Sequence, residues 1–593
     1  MKYICTSFIA IMLFFSACKL SNTNQHDAPN TELSALFDKY YEERLQVFPL
    51  EATAIGDNRY NDKLYADFTD SYRKKLSDFC NRYLTYAEKF APNTLNETDK
   101  LNHEIFTHEL EMNIEGLSFN DNYMPANQFY GLPISLGQLG SAEGNQPFKT
   151  LQDYSNWLLR MKAFNVWTDS AIVYFKKGLA SNVVLPKSIV VKMLPQLQDM
   201  VTADVTKNLY YGPINKLPAS FSSVDKQKIT DEYTAAIQQN IIPAYQKLHN
   251  FLQQEYLPKT RLTSGINALP NGSNYYNYLV RLNTSTNKKP EDIYNLGLSE
   301  VTRIKTEMEK VKTLVNFKGD MTSFFEFMKT DKQFTPYKTP QEVLAAFETI
   351  HKTMEPNLKT MFVNVPKTKF EIRQTEAFRA ASSSAEYNQG SADGSRPGIF
   401  YVPILDATTF NTTSGMESLF LHEAIPGHHY QISLQQEDTL LPKFRRYSVS
   451  NNAYVEGWAL YCESLGKELG LYTNPYQYMG ALGDEMHRAI RLVVDVALHT
   501  KNMTREEAIA YMVANEPISE AGATAEIERY MVIPGQALGY KIGALKIKEL
   551  RAKYTTQLGS KFNIAKFHDA ILKDGSMPLN ILETKMDAWA AKQ

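Results

Sequence analysis

Apolar residues recur at three- and four-residue spacing along most of this chain, the pattern of helices that bury one face. The periodicity predicts helices over residues 34–48, 68–92, 97–115, 150–180, 225–255, 290–316 and 340–360, and over nearly all of 415–552. Capping residues mark several starts: Ser414-Gly415-Met416-Glu417 and Thr504-Arg505-Glu506-Glu507 have the spacing of a capping box, and Asn474-Pro475 opens another helix. Two stretches break the pattern. Residues 257–290 are rich in Pro, Gly, Asn, Ser and Thr and read as a joint between an N-terminal helical half (32–260) and a C-terminal half (290–593). Residues 381–406 are irregular, with the strand-like run Ile399-Phe400-Tyr401-Val402; Lys369 to Arg373 is its expected partner in a small hairpin whose edge suits an extended peptide. The fold class is therefore all-α, with a minor β element.

The first residues read differently. A basic Lys2, an apolar run from Ile9 to Phe15 and the small residues Ser16-Ala17 before Cys18 have the form of a lipoprotein signal (1–18), with Cys18 as the lipidated residue. Residues 19–31 are polar and suit a flexible tether. The apolar run is too short to span a bilayer as a helix. This predicts a lipid-anchored protein of the cell envelope, on the periplasmic side or the outer-membrane surface. The remaining cysteines, Cys80 and Cys462, are too sparse for a disulfide framework and are expected as free buried thiols.

At 593 residues, 43% hydrophobic and 22% charged, the chain has ample material for a large core, and a formal charge of −2 argues against a nucleic-acid partner. Its 35 Tyr and 31 Phe suit either aromatic-rich cores or a cleft for peptides or sugars.

Three of the eleven histidines fall in one run, His422-Glu423-Ala424-Ile425-Pro426-Gly427-His428-His429-Tyr430-Gln431. Two imidazoles and a carboxylate are the protein ligands of a hydrolytic zinc site. In the HExxH arrangement both histidines lie on one helical face, about 40° apart and about 6 Å along the axis. Here Pro426 stands where the second histidine would be, and its ring conflicts with a helical carbonyl four residues back. The helix must widen or break at Pro426-Gly427. A bulge of two residues delivers His428 and one of three delivers His429; His428 needs the smaller distortion. Glu456, 34 residues after His422, is the expected third ligand from a returning helix. Glu463 lies on the same helical face and is placed to orient a ligand histidine. Glu423, beside the first ligand, is the expected general base. A second candidate, His103-Glu104-Ile105-Phe106-Thr107-His108, has no break residue and no partner acid, and reads as a solvated helix face.

The residues His422-Glu423-x-x-Pro426-Gly427-His428-His429-x-Gln431, Glu456-Gly457-Trp458-Ala459 and Pro534-Gly535-Gln536-Ala537-x-x-Tyr540-Lys541-x-Gly543 resemble a family of bacterial lipoproteins of unknown function (domain of unknown function 885), related to zinc peptidases with a glutamate third ligand. The stretches Asp393–Val402 and Arg491-Leu492-Val493-Val494-Asp495-x-x-x-His499 resemble it too, and the likeness runs from residue 31 to about 590. It implies a helical zinc-peptidase-like domain with a deep central cleft. It also makes Tyr540, in a segment similar to the tyrosine-bearing helix of related peptidases, the first candidate to stabilise an oxyanion. His499 is second, its alternative role being a pair with Asp495, which Arg491 would share. Arg396 and Tyr401 are candidate substrate contacts, and Gln431 and Gln536 candidate supporting amides. The expected function is a metallopeptidase with one Zn2+ per chain, possible forms being a carboxypeptidase or an oligopeptidase acting on peptide substrates. The alternative is a lipid-anchored glycan- or peptide-binding protein without catalysis.

Overall fold

The structure, a computed structural model, describes residues 28–593 apart from 376–379, 381–383 and 414. The signal, the Cys18 lipidation site and Ser414 of the expected capping box lie outside the described residues. The end of the expected tether is tied down: Asn30 donates its backbone N–H to Asp99 (2.7 Å), and Asn96 reaches the carbonyl of Ala28 (3.1 Å).

The chain is mainly helical. Helix α1 (Thr31–Val47) starts where the Asn30 side chain accepts the Leu33 N–H, and it buries Leu33, Phe37, Tyr40, Tyr41 and Leu45. Helix α2 (Leu151–Ser181) starts at a capping box of Thr150 and Asp153 and ends where Asn182 turns left-handed. Helices Leu132–Gly140, Lys187–Gln198 and Met321–Thr330 lie outside the predicted set. No helix among the described residues is long and apolar enough to cross a membrane.

The expected joint at 257–290 is instead part of the core. It contains helix α3 (Gly272–Thr284), which buries Tyr276, Tyr278, Leu279 and Val280. Its Asn and Ser positions face outward, and the tyrosines carry the apolar stripe, so counting turn-forming residues hid the helix. Residues of both sequence halves share the two cores. One core joins residues of α1 to Phe347, Trp458 and Tyr554; the other joins Trp157 and Tyr245 of the N-terminal part to Ile304, Ile490 and Tyr530.

Helix α4 (Pro290–Leu314) is followed by α5 (Pro340–Met361) and a three-stranded sheet: β1 (Phe370–Gln374), β2 (Glu386–Asn388) and β3 (Gly398–Val402), in the order β1-β3-β2. The expected hairpin is not formed: β1 runs parallel to β3, and the antiparallel partner is β2. Phe400 packs on Phe347 of α5 and on Phe420, which seats the sheet against the helix carrying His422.

From residue 416 onward the helices that matter for the site are α6 (Met416–Glu423), α7 (His428–Glu437), α8 (Asn452–Glu463), α9 (Pro475–Thr500), α10 (Glu520–Val532) and α11 (Leu538–Leu558). Every residue of α9 from Ala489 to His499 is buried, because this helix runs between the two cores: Leu492 and Val496 belong to one, Ile490 and Val493 to the other. Helices α8 and α11 cross very closely. A Cβ on Gly457 would stand 2.5 Å from the Cα of Gly543, and a Cβ on Gly543 would stand 1.8 Å from the carbonyl oxygen of Ala453. The glycines in both motifs are thus needed by this crossing.

Candidate metal centre

The helix does break where Pro426 and Gly427 require it. Helix α6 ends at Glu423 and α7 begins at His428. The freed carbonyl of Pro426 accepts the indole N–H of Trp458 (2.9 Å) and lies 3.5 Å from the Cys462 sulfur, so α8 holds the break in place. Gly427 permits a close approach: a Cβ there would meet the carbonyl oxygen of His422 at 1.9 Å.

The break brings two imidazoles together. The rings of His422 and His428 stand 4.9 Å apart and nearly perpendicular. Glu456, from α8, points its Oε2 between them, 3.6 Å from His422 Nε2 and 3.4 Å from His428 Nε2. Tetrahedral zinc bonds of about 2.0–2.1 Å place neighbouring ligand atoms about 3.3 Å apart. The Glu456 oxygen therefore stands from each imidazole at nearly the spacing that zinc ligands keep, and too far for a good hydrogen bond. Glu456 Oε2 is buried and accepts no hydrogen bond. Such an orphan is unfavourable in a protein interior unless a cation completes it. Without an ion, burial works against the charged form of Glu456, but His422 and His428 outweigh it and hold the carboxyl well below the usual carboxylate range. His422, whose burial opposes its charged form, is nevertheless raised to about 10 by Glu456 and Glu463. His422 Nδ1 meets Glu463 Oε1 at 2.7 Å, the contact that orients a ligand imidazole toward a metal.

His429 faces the other way. Its Nδ1 meets the Tyr387 hydroxyl (3.0 Å), its ring packs on Phe370 of β1, and burial lowers its pKa to about 4. Glu423 is half-buried, with a ligand atom within 4.8 Å of those of His422 and His428. Its Oε2 accepts the backbone N–H of Tyr387 in β2 (2.9 Å), and burial raises its pKa.

A family model described as "Bacterial protein of unknown function (DUF885)" matches residues 49–586. The chain belongs to that family. Among solved structures, this DUF885 protein is similar to a "putative lipoprotein" from Colwellia psychrerythraea, with 28% identity, a TM-score of 0.87, and 95% of this chain and 99% of that one covered. It also shares its fold with a "putative lipoprotein of unknown function" from Shewanella oneidensis, at 17% identity and a TM-score of 0.70, covering 93% and 99% of the two chains. No curated protein matches it.

The other expected site residues of the DUF885 chain divide. Tyr540, 8% exposed, stacks on His422 with ring centres 6.3 Å apart; burial raises its pKa, so the phenol stays a hydrogen-bond donor. His499 is held by backbone groups. Its Nδ1 accepts the N–H of Ile266 and its Nε2 donates to the carbonyl of Tyr530, both at 3.0 Å. It is a buried joint between segments, with both ring nitrogens engaged. Neither expected pair with Asp495 forms. Asp495 accepts from Tyr276 (2.6 Å) and from the N–H of Gly535 (3.1 Å), while Arg491 binds Glu526 (3.0 Å) and Tyr530 (2.8 Å). Arg396 donates from Nη2 to the carbonyls of Ala54 and Gln389 while its Nε is buried without a partner, and Tyr401 is buried in β3. Tyr401 alternates with Gly398 and Phe400, which face His429 and Phe420, so it lies on the opposite face of the sheet. Gln431 pairs with Gln435 and Gln536 with Arg529 and Asn452. In the second candidate motif, His103 is buried against the carbonyl of Ala87 rather than solvated.

Sequence reasoning missed Tyr387, which carries no signal in a Ser-rich stretch, and Arg488. Arg488 sits three residues before Arg491 on α9, a spacing that places both on one face.

Proposed function

We propose that this chain is a zinc-dependent metallopeptidase that hydrolyses peptide bonds of peptides and oligopeptides. One observation carries the reading: a buried carboxylate oxygen without a hydrogen bond, at ligand spacing from two imidazole nitrogens. His422, His428 and Glu456 would hold the ion, which when bound supplies a Lewis acid that polarises a carbonyl and lowers the pKa of water. Glu423 takes a proton from the attacking water as its oxygen bonds to the scissile carbonyl carbon, and passes it to the leaving nitrogen as the C–N bond breaks. The Tyr387 N–H fixes Oε2 of Glu423 and leaves Oε1 for that transfer. Tyr540 donates to the developing oxyanion. Glu463 keeps His422 in the tautomer that presents Nε2.

Metal analysis of purified protein should find about one zinc per chain, absent from His422→Ala. Glu423→Gln should keep the metal and lose about 10²–10⁴-fold in hydrolysis of a peptide library read by mass spectrometry. Protein that takes up no divalent ion after dialysis against zinc ends the reading.

We also propose a lipid anchor at Cys18. Support comes from the leader pattern and from the similar Colwellia psychrerythraea protein, described as a "putative lipoprotein". Radiolabelled palmitate should enter the wild type and not Cys18→Ala; equal labelling would rule the anchor out.

A further inference from the structure

Beside the proposed metal ligands stands a group of arginines whose donors are not all used. Arg491 is 4% exposed. Its Nε and Nη2 bind Tyr530 and Glu526, but Nη1 is buried without a partner. Its guanidinium carbon lies 4.8 Å above the ring of Tyr540, the same ring that stacks on His422. Arg488, one turn earlier, lies 5.9 Å from that ring. It makes no hydrogen bond among the described residues, and its nearest carboxylate, Asp484, is 3.9 Å away. Arg529 of α10 binds Gln536, and its Nε is likewise buried and unpaired.

The acids here are shared: Asp484 and Glu463 act on Arg488, and His487 is held by Glu516 (2.9 Å). Glu526 is shared by Arg491 (3.0 Å), Arg529 (3.6 Å) and His487 (3.5 Å). Arg488 also lines a cavity of about 430 Å3 with Thr413, Gly480, Asp484, His487 and Glu516. That cavity follows α9, and its Asp484 is hydrogen-bonded to Ser418, one turn before His422. Arg488 is the one of the three that borders this cavity; the unpaired guanidinium donors around Tyr540 suit an anion. The planar fork of arginine matches a carboxylate by paired hydrogen bonds.

We propose that Arg488, Arg491 and Arg529 form a carboxylate subsite next to the metal centre, so that the preferred substrate is a peptide carrying a carboxylate close to the bond that is cut. This rests on the peptidase reading above. The carboxylate has two sources, the free C-terminus of the peptide or an Asp or Glu side chain near the cut.

Binding tests it apart from catalysis. N-acetyl-tetra-alanine is offered by titration calorimetry to the metal-free protein as the free acid, as the C-terminal amide, and as an amide with Glu at the third position. The free acid should bind at least about tenfold tighter than the plain amide. Arg488→Gln should erase the difference without changing thermal midpoint or zinc content, and Arg529→Gln should reduce it. Tight binding of the free acid alone identifies the C-terminus; equal binding of the Glu amide admits a side chain. Equal affinity for all three peptides, no binding of either the free acid or the Glu amide up to about 10 mM, or a preference untouched by both substitutions would overturn the subsite. An absence of zinc or of hydrolysis, with the binding preference intact, would instead overturn the peptidase reading alone.

Discussion

Each residue around the proposed metal centre has its role set by what its neighbours leave unused. Glu456 has no hydrogen bond to satisfy Oε2. Glu463, one helical face along, has His422 Nδ1 at 2.7 Å. His428 and His429 are adjacent and chemically identical, yet one faces Glu456 and the other is taken by Tyr387 and Phe370. If Glu463 orients the ligand imidazole, Glu463→Gln should weaken zinc affinity about 10–100-fold while the fold persists. A chelator competition titration reads this directly, and an unchanged affinity would make Glu463 a bystander.

Elements matter here through two local devices. One is the break between α6 and α7, held by Trp458 and Cys462 on the Pro426 carbonyl. The other is the crossing of α8 and α11 at Gly457 and Gly543, which brings both Glu456 and Tyr540 beside His422. An added methyl at Gly457 has only backbone to push against, at 2.5 Å. Gly457→Ala should therefore cost about 1–3 kcal/mol, seen as a lower thermal midpoint, and should loosen zinc through Glu456. Full stability with native zinc affinity would show that the crossing can relax.

At the scale of the molecule, two cores share α9, and buried histidines stitch distant segments together. His499 joins Ile266 to Tyr530, and His568 joins Tyr461 to the carbonyl of Met361. Burial lowers the pKa of each to about 3. An unfolded histidine titrates near 6.5, so between about 6.5 and about 3 the unfolded chain binds more protons than the folded one. Their contribution is whole above about pH 6.5 and is lost on acidification, by at most about 1.4 kcal/mol per pH unit for each histidine. The thermal midpoint should fall steadily below pH 6, and the fall should be shallower in His568→Gln; a flat profile to pH 4 would contradict this. Most of the aromatic content lies inside these cores, while Tyr65, Phe129 and Tyr130 are exposed at the surface. The aromatic richness is thus spent mainly on packing.

The long helices, the free buried cysteines and the break at Pro426-Gly427 were legible in the order of residues, because helix period, capping and the missing proline N–H act over a few neighbouring positions. Helix α3 was hidden because its stripe is built from tyrosines among turn-forming residues, and its burial depends on helices far along the chain. The roles of His499, Arg396 and Asp495 likewise waited on tertiary structure. A polar side chain's partner is whatever donor or acceptor packing brings within about 3 Å, and no spacing along the chain encodes that distance.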